Sequence, residues 1–213
     1  KIKELQKQFP KAEFFVEPSD IRIFKNEEYK QARIEVTTNM EQCDVLLGVK
    51  EVPIDALIPN KKYFFFSHTI KKQPYNRKLL QAILQKNIEL HDHEVITKKN
   101  GARLIGFGRY AGLVGAYNGF RLLGIKDKLY KLPKVENLTD LNQVKKELDK
   151  IKLPNIKICL TGLGKVAKGA KEILNHLKIK QVSVNDYVHK QFQEPVYVMI
   201  DVLDYNIRKD KQS

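Results

Sequence analysis

Ile156-Lys157-Ile158-Cys159-Leu160-Thr161-Gly162-Leu163-Gly164-Lys165-Val166-Ala167-Lys168-Gly169-Ala170 is the stretch that decides the fold class. An apolar strand predicted over 156–160 runs straight into a G-x-G-x-x-A turn, and a helix is predicted over 171–177. In such a turn Gly162 makes the tight bend, Gly164 lets a pyrophosphate approach the backbone, and Ala167 is small enough for the helix to pack on the strand. A second strand, predicted over 181–184, ends at Asn185-Asp186. Asp186 stands 24 positions after Gly162, close to the spacing of about 20 at which an acid binds a ribose. Strand, turn, helix, strand and acid in that order predict a dinucleotide site formed by Gly162, Gly164, Lys165, Val166 and Asp186. A cation at Lys165 suits a pyrophosphate electrostatically, although it could equally face solvent. Asp186 favours NAD, because a carboxylate repels a 2′-phosphate. Lys180 or Lys190 could accept that phosphate, so NADP stays open. The competing reading is a strand-to-helix turn that needs small residues for packing alone.

Working back from the turn, Leu141, Val144, Leu148 and Ile151 recur at helical spacing behind Thr139, a candidate N-cap, and Pro154 stops the pattern. Residues 136–153 therefore read as an interdomain helix. Residues 154–213 read as the start of a dinucleotide-binding domain, too short to be all of one. In residues 1–135, strands are predicted over 14–16, 34–36, 44–49, 63–66 and 89–96. Helices are predicted over 1–9, 26–32 and 76–86, the last with Leu79, Leu80, Ile83 and Leu84 on one side. Alternating strands and helices imply an α/β fold with a parallel sheet.

The chain has 213 residues, of which 42% are hydrophobic, near the globular norm of about 45–50%. No apolar run approaches the ~18 residues of a membrane span, so no membrane partner is expected. Cys43 and Cys159 are too few for a disulfide framework and fit a reducing, cytoplasmic compartment. The net charge of +14 raises a nucleic-acid reading. However, the cations are 32 Lys against 7 Arg, whereas base reading and bidentate phosphate contacts favour Arg. The lysines are also dispersed as singles and pairs. They describe a solvated surface, with no specific nucleic-acid partner expected.

Two predicted strands deliver charged residues at their carboxyl ends, where ligands meet an open α/β sheet. The run ending Gly48-Val49 delivers Lys50-Glu51, and 63–66 delivers Ser67-His68-Thr69-Ile70-Lys71. A lysine and a histidine so placed are a pair that acid–base chemistry near neutral pH would want. By pattern alone His68 is equally a hydrogen-bonded histidine at a sheet edge, and Lys50 a snorkelling surface side chain. In His91-Asp92-His93-Glu94, strand alternation would put the histidines on one face and the acids on the other. Zinc would need a further protein ligand from elsewhere, so no metal is expected. Seven of the 11 glycines lie between Gly101 and Gly124. Ala111, Gly112, Gly115, Ala116 and Gly119 recur at helix-like steps, the pattern of a helix packed closely on a neighbour. Arg103 and Arg109 are candidate carboxylate clamps or surface ion pairs.

Three blocks carry a resemblance: Asp44-Val45-Leu46-Leu47-Gly48-Val49-Lys50-Glu51, Phe66-Ser67-His68-Thr69-Ile70-Lys71, and Gly106-Phe107-Gly108-Arg109-Tyr110-Ala111-Gly112. With the glycine turn following in order, the chain resembles the saccharopine dehydrogenase and lysine–ketoglutarate reductase family, related to alanine dehydrogenase and the transhydrogenase nucleotide subunit. The resemblance implies two Rossmann-like domains with substrate and dinucleotide between them, and further segments before residue 1 and after residue 213. It implies Lys50 and His68 as the acid–base pair, Glu51 and Glu94 as modulators of their proton affinity, and Arg103 and Lys71 as substrate contacts. The implied reaction joins the lysine ε-amine to 2-oxoglutarate as an imine, which hydride reduces to saccharopine, or runs the reverse. The partners implied are thus an amino acid and a 2-oxo acid, with a homo-oligomer left open. An alanine-dehydrogenase-like enzyme acting on a small amino acid is the runner-up. The other alternative is a dinucleotide-binding module without catalysis.

Overall fold

The apolar runs become short parallel strands, and the computed structural model describes residues 2–207. The chain divides into two compact units, Lys1–Gly106 and Phe107–Ser213. Lys1 of the first predicted helix, and residues 208–213 of the predicted second domain, lie outside the described residues.

The first unit runs α1 (Ile2–Gln8), β1 (Phe15–Val16), α2 (Asn26–Gln31), β2 (Glu35–Val36), β3 (Val45–Leu47), β4 (Lys62–Phe65), α3 (Arg77–Gln85) and β5 (Glu89–Asp92). β1 and β2 form a separate parallel pair, while β3, β4 and β5 form a parallel sheet with β4 central. Alternation along β4 turns Tyr63 and Phe65 into a core with Leu57, Leu79, Ala82 and Ile83. On α3 the buried stripe is Leu79, Ala82 and Ile83, whereas Leu80 and Leu84 are 41% and 71% exposed. The predicted stripe is therefore rotated toward Ala82. Leu47 pairs with Phe64, Phe64 with His91, and Phe65 with Asp92, so the three strands end level. The strand predicted over 44–49 is shorter as a regular element. Its ladder nevertheless continues, because Gly48 N–H donates to Phe64 O (2.8 Å) and Phe66 N–H donates to Val49 O (3.2 Å).

The strand predicted to reach residue 96 stops at Asp92. Its carboxylate accepts the N–H of Glu94 (2.8 Å), a side-chain turn that replaces the ladder. The chain then doubles back around Gly101, whose φ is +78°, and Thr97 bridges Arg103 in antiparallel fashion.

The second unit runs α4 (Gly108–Lys126), α5 (Leu141–Leu148), β6 (Lys157–Thr161), α6 (Lys165–His176), β7 (Lys180–Gln181), α7 (Val184–His189) and β8 (Val196–Ile200). Here the compact unit begins about thirty residues earlier than the boundary predicted at 135–136. Glycines explain this. A β-carbon at Gly112 would fall on the carbonyl oxygen of Val166 and lie 2.7 Å from the amide nitrogen of Ala170, and one at Gly169 would fall on the carbonyl of Arg109. α4 and α6 thus cross backbone to backbone, and Arg109 clamps Glu172 with two bonds of 2.7 Å. Predicted as an interdomain helix, α5 instead packs Val144 and Leu148 into the core of this unit with Leu113, Tyr117, Ile173, Leu174 and Tyr197. Its N-cap is Asp140, which accepts Gln143 N–H (2.8 Å), and not Thr139.

All strand pairs of the second sheet are parallel, in the order β6-β8-β7. A dinucleotide-binding half usually sets its first two strands side by side, whereas here β8 lies between them. Alanine at Gly112 must push two backbones apart, at about 1–3 kcal/mol for overpacking. A β-carbon at Gly115 meets nothing within 4 Å, so alanine there gains about 0.5–1 kcal/mol of helix propensity. Thermal unfolding should show G112A melting below the wild type and G115A at or above it.

Candidate active site

Level strand ends place three short polar segments side by side: Lys50-Glu51 after β3, Ser67-His68 after β4, and Asp92-His93-Glu94 at the end of β5. Ser67 is fully buried and Asp92 is 7% exposed. The Ser67 hydroxyl donates to Asp92 Oδ2 (2.5 Å), so the bottom of the cluster is a hydrogen-bonded floor between β4 and β5. His68 stands on this floor in a left-handed conformation, φ 56° and ψ 8°. For a residue other than glycine that backbone costs about 1–2 kcal/mol.

His68 Nδ1 lies 2.5 Å from Glu51 Oε1. Partial burial of Glu51 favours its neutral form. The hydrogen bond from His68, the residue's own amide and the charges of His68 and Lys50 outweigh it, holding the carboxyl below the usual glutamate range. An ionised carboxylate only accepts, so Nδ1 carries the proton and Nε2 is the nitrogen left to exchange one with a substrate. The Phe66 ring flanks this imidazole, with centroids 6.4 Å apart, and meets His93 edge-on at 5.3 Å. Lys50 is exposed.

Glu94 faces the cations of the cluster. Its side chain is 4% exposed, and Oε1 pairs with Lys71 Nζ (3.4 Å) and Arg103 Nη2 (3.3 Å). Oε2 has no hydrogen-bond partner among the described residues. The acid thus gathers the two cations expected to meet a substrate and does not touch His68 or Lys50 itself. Both cations remain about half exposed, where ion pairs hold weakly, about 0–1 kcal/mol. An incoming carboxylate can therefore compete for them. Among the described residues no group of three or more His, Cys, Asp or Glu is placed to hold a metal. His91 stacks on Phe64 with centroids 4.3 Å apart.

In the second unit the glycine turn has the expected local form. Gly162 has φ +89° and donates its N–H to Ile200 O (2.7 Å), and Gly164 caps α6. α6 begins at Lys165, earlier than the predicted 171, so Lys165 and Val166 form its first turn and Ala167 is buried. The first amides of a helix lack intrahelical partners and favour anions. Nothing lies within 4 Å of a β-carbon on Gly162 or Gly164. The turn is open enough, and of the right donor chemistry, for a dinucleotide pyrophosphate.

Asp186 is a correction. The predicted strand over 181–184 ends at Gln181, because Ser183 caps α7 by accepting the N–H of Asp186 (3.1 Å). Asp186 therefore lies in the first turn of α7 and pairs with Lys190 (2.9 Å). With β8 between them, β7 stands two strand spacings, about 10 Å, from β6. Instead, Asp201 follows the strand next to the turn, its carboxylate accepting Val202 N–H (2.6 Å). Sequence reasoning also missed the Ser67–Asp92 floor. The only local signals for it are an Asp two residues before Glu94 and a Ser-x-Thr at 67–69.

Residues 1–114 match the family described as alanine dehydrogenase/PNT, N-terminal domain. The chain belongs to that family. It is 32% identical over 203 residues to the mitochondrial alpha-aminoadipic semialdehyde synthase of Bos taurus, covering 83% of this chain and 22% of that protein. It is 25% identical over 189 residues to saccharopine dehydrogenase [NAD(+), L-lysine-forming] of Yarrowia lipolytica, covering 81% of this chain and 51% of that one. Among solved structures an L-alanine dehydrogenase matches with a TM-score of 0.60 at 14% identity, over 95% of this chain and 56% of the other. The likeness confirms the α/β fold with parallel sheets. This chain spans only about a fifth of the semialdehyde synthases of Bos taurus and Mus musculus. No helix among the described residues is long and apolar enough to cross a membrane.

Stability should carry the mark of the Glu51–His68 pair. A carboxyl held low in the folded protein contributes stability above its unfolded value, about 4.3. That contribution disappears as pH falls through the lower, folded value. Urea unfolding between pH 6 and pH 3 should show a wild-type advantage over Glu51→Gln at pH 6 that shrinks toward pH 3.

Proposed function

We propose that the protein is an NAD(P)-dependent oxidoreductase of the lysine-forming saccharopine dehydrogenase type, joining lysine to 2-oxoglutarate reductively or running the reverse. The observation that carries the reading is Lys50 and the Glu51–His68 pair on neighbouring strand ends, in the same unit as the Lys71–Glu94–Arg103 cluster. Similarity to enzymes whose names describe this chemistry supports it.

In the condensing direction, the ε-amine must be unprotonated to attack the 2-oxo carbon, and the carbinolamine oxygen must be protonated to leave as water. Lys50 and His68 supply those proton transfers, with His68 acting through Nε2 while Glu51 holds Nδ1 and stabilises the imidazolium. Lys71 and Arg103 receive a substrate carboxylate, exchanging part of their attraction to Glu94 for it. A dinucleotide, when bound, supplies hydride to the imine carbon or takes it back. Gly162, Gly164, Lys165 and Val166 hold the pyrophosphate. Asp186 keeps no ribose role in this proposal; the name of the Yarrowia lipolytica relative supports NAD, with NADP the alternative. The partners are small molecules, an amino acid and a 2-oxo acid. Two free cysteines, Cys43 and Cys159, favour a reducing address such as the cytoplasm, whereas the Bos taurus relative is named as mitochondrial.

Full-length protein should oxidise NADH or NADPH with lysine plus 2-oxoglutarate and not with pyruvate plus ammonium. The opposite preference would favour an alanine-dehydrogenase-like reaction, and dinucleotide binding without turnover an inactive module. Lys50→Met and His68→Gln should each lower kcat by about 10²–10⁴, the worth of a general acid or base. Full activity in both would refute the assignment. Gly164→Val should weaken dinucleotide binding, read by NADH fluorescence.

A further inference from the structure

Asp92 is the buried carboxylate for which the reaction above has no use, although more bonds converge on it than on any group assigned a role. Oδ2 accepts the Ser67 hydroxyl, and Oδ1 accepts the amides of Ser67 (3.4 Å) and Glu94 (2.8 Å). Because the Ser67 hydroxyl hydrogen is committed to Asp92, the contact between Ser67 Oγ and Thr69 Oγ1 (2.8 Å) must run from the threonine hydroxyl. The Thr69 amide donates to the same oxygen (3.1 Å). Asn76 Nδ2 donates to the Ser67 carbonyl (3.2 Å). Both neighbours of His68 are thereby tied to one carboxylate on the next strand. His68, left-handed between them, makes no side-chain cap of its own to the turn that follows.

We infer that Asp92 is a positioning residue that acts on two groups at once. Through Ser67 and Thr69 it holds His68 against Glu51, and through the amide of Glu94 it fixes the acid that gathers Lys71 and Arg103. The inference rests on the acid–base reading of His68. It predicts that the two halves of the cluster respond differently to two substitutions. Ser67→Ala cuts the branch to His68 and leaves the bond to the Glu94 amide. Asp92→Ala removes both acceptor oxygens, so the Ser67 hydroxyl and the amides of Ser67 and Glu94 lose their partner and both branches are cut.

The test uses the full-length protein and two independent readouts. Carbethoxylation of His68 by diethyl pyrocarbonate, followed by peptide mass spectrometry across pH, reports the imidazole without any turnover. His68 is open to the reagent, with a side chain 18% exposed. Lysine and 2-oxoglutarate kinetics report the second branch, and dinucleotide affinity reports an intact second unit. Both variants should shift the midpoint of His68 modification and lower kcat by about tenfold or more, as small misplacements do. Only Asp92→Ala should also raise KM for 2-oxoglutarate, and dinucleotide affinity should stay at the wild-type value. A folded Asp92→Ala protein with the wild-type modification midpoint and kcat would overturn the inference. Should Asp92→Ala not fold, Ser67→Ala decides by the same midpoint and kcat. A shifted midpoint in a protein whose wild type does not turn over lysine with 2-oxoglutarate would sustain the positioning role and refute the catalytic one.

Discussion

The level ending of β3, β4 and β5 is the constraint on which the candidate site depends. Parallel pairing sets Phe64 opposite both Leu47 and His91, so three chains leave the sheet at one height and on one edge. A slip of one residue in β4 would exchange Tyr63 and Phe65 for Phe64 in the core and turn the following segment over. The core formed by Tyr63, Phe65, Leu79 and Ile83 resists that slip. The hydrophobic register on the inner face therefore secures the polar geometry at the strand ends, and the Ser67–Asp92 bond joins β4 to β5 where the ladder gives out.

Much of this was legible locally. Short apolar runs ending in Lys50-Glu51 and Ser67-His68 announce strands with charged carboxyl ends, and Gly162 and Gly164 announce a turn. The glycine spacing of 112–119 announces a helix packed closely, although not which neighbour it meets. What escaped are relations across sequence distance. Asp92 and Ser67 are 25 positions apart, so nothing beside the acid in the sequence points to its partner. Val182-Ser183-Val184 alternates like a strand, but the Ser183 hydroxyl caps a helix, carrying Asp186 onto α7. The start of the second compact unit at α4 was not legible because the partner of α4 is chosen by Gly112 and Gly169 together, across 57 positions.

The charge also takes a definite form. Of the many lysines, Lys71 is drawn to a buried acid, and its pairing depends on where the turn after Asp92 sets Glu94. Other cations sit in ordinary surface pairs, such as Lys62 with Glu89 and Lys190 with Asp186. Within the +14 balance, Lys71 and Arg103 are thus set apart as the two cations recruited by the buried Glu94 carboxylate.

The central claim is that the strand ends of the first unit hold the substrate while the turn after β6 holds the dinucleotide. A crystal structure of the full-length protein with dinucleotide and saccharopine tests this most directly. The account predicts a substrate carboxylate on Arg103 and Lys71, the substrate nitrogen within hydrogen-bond reach of Lys50 or His68 Nε2, and the pyrophosphate on the amides after Gly164. Saccharopine bound away from Lys50 and His68, or a pyrophosphate away from the glycine turn, would contradict it.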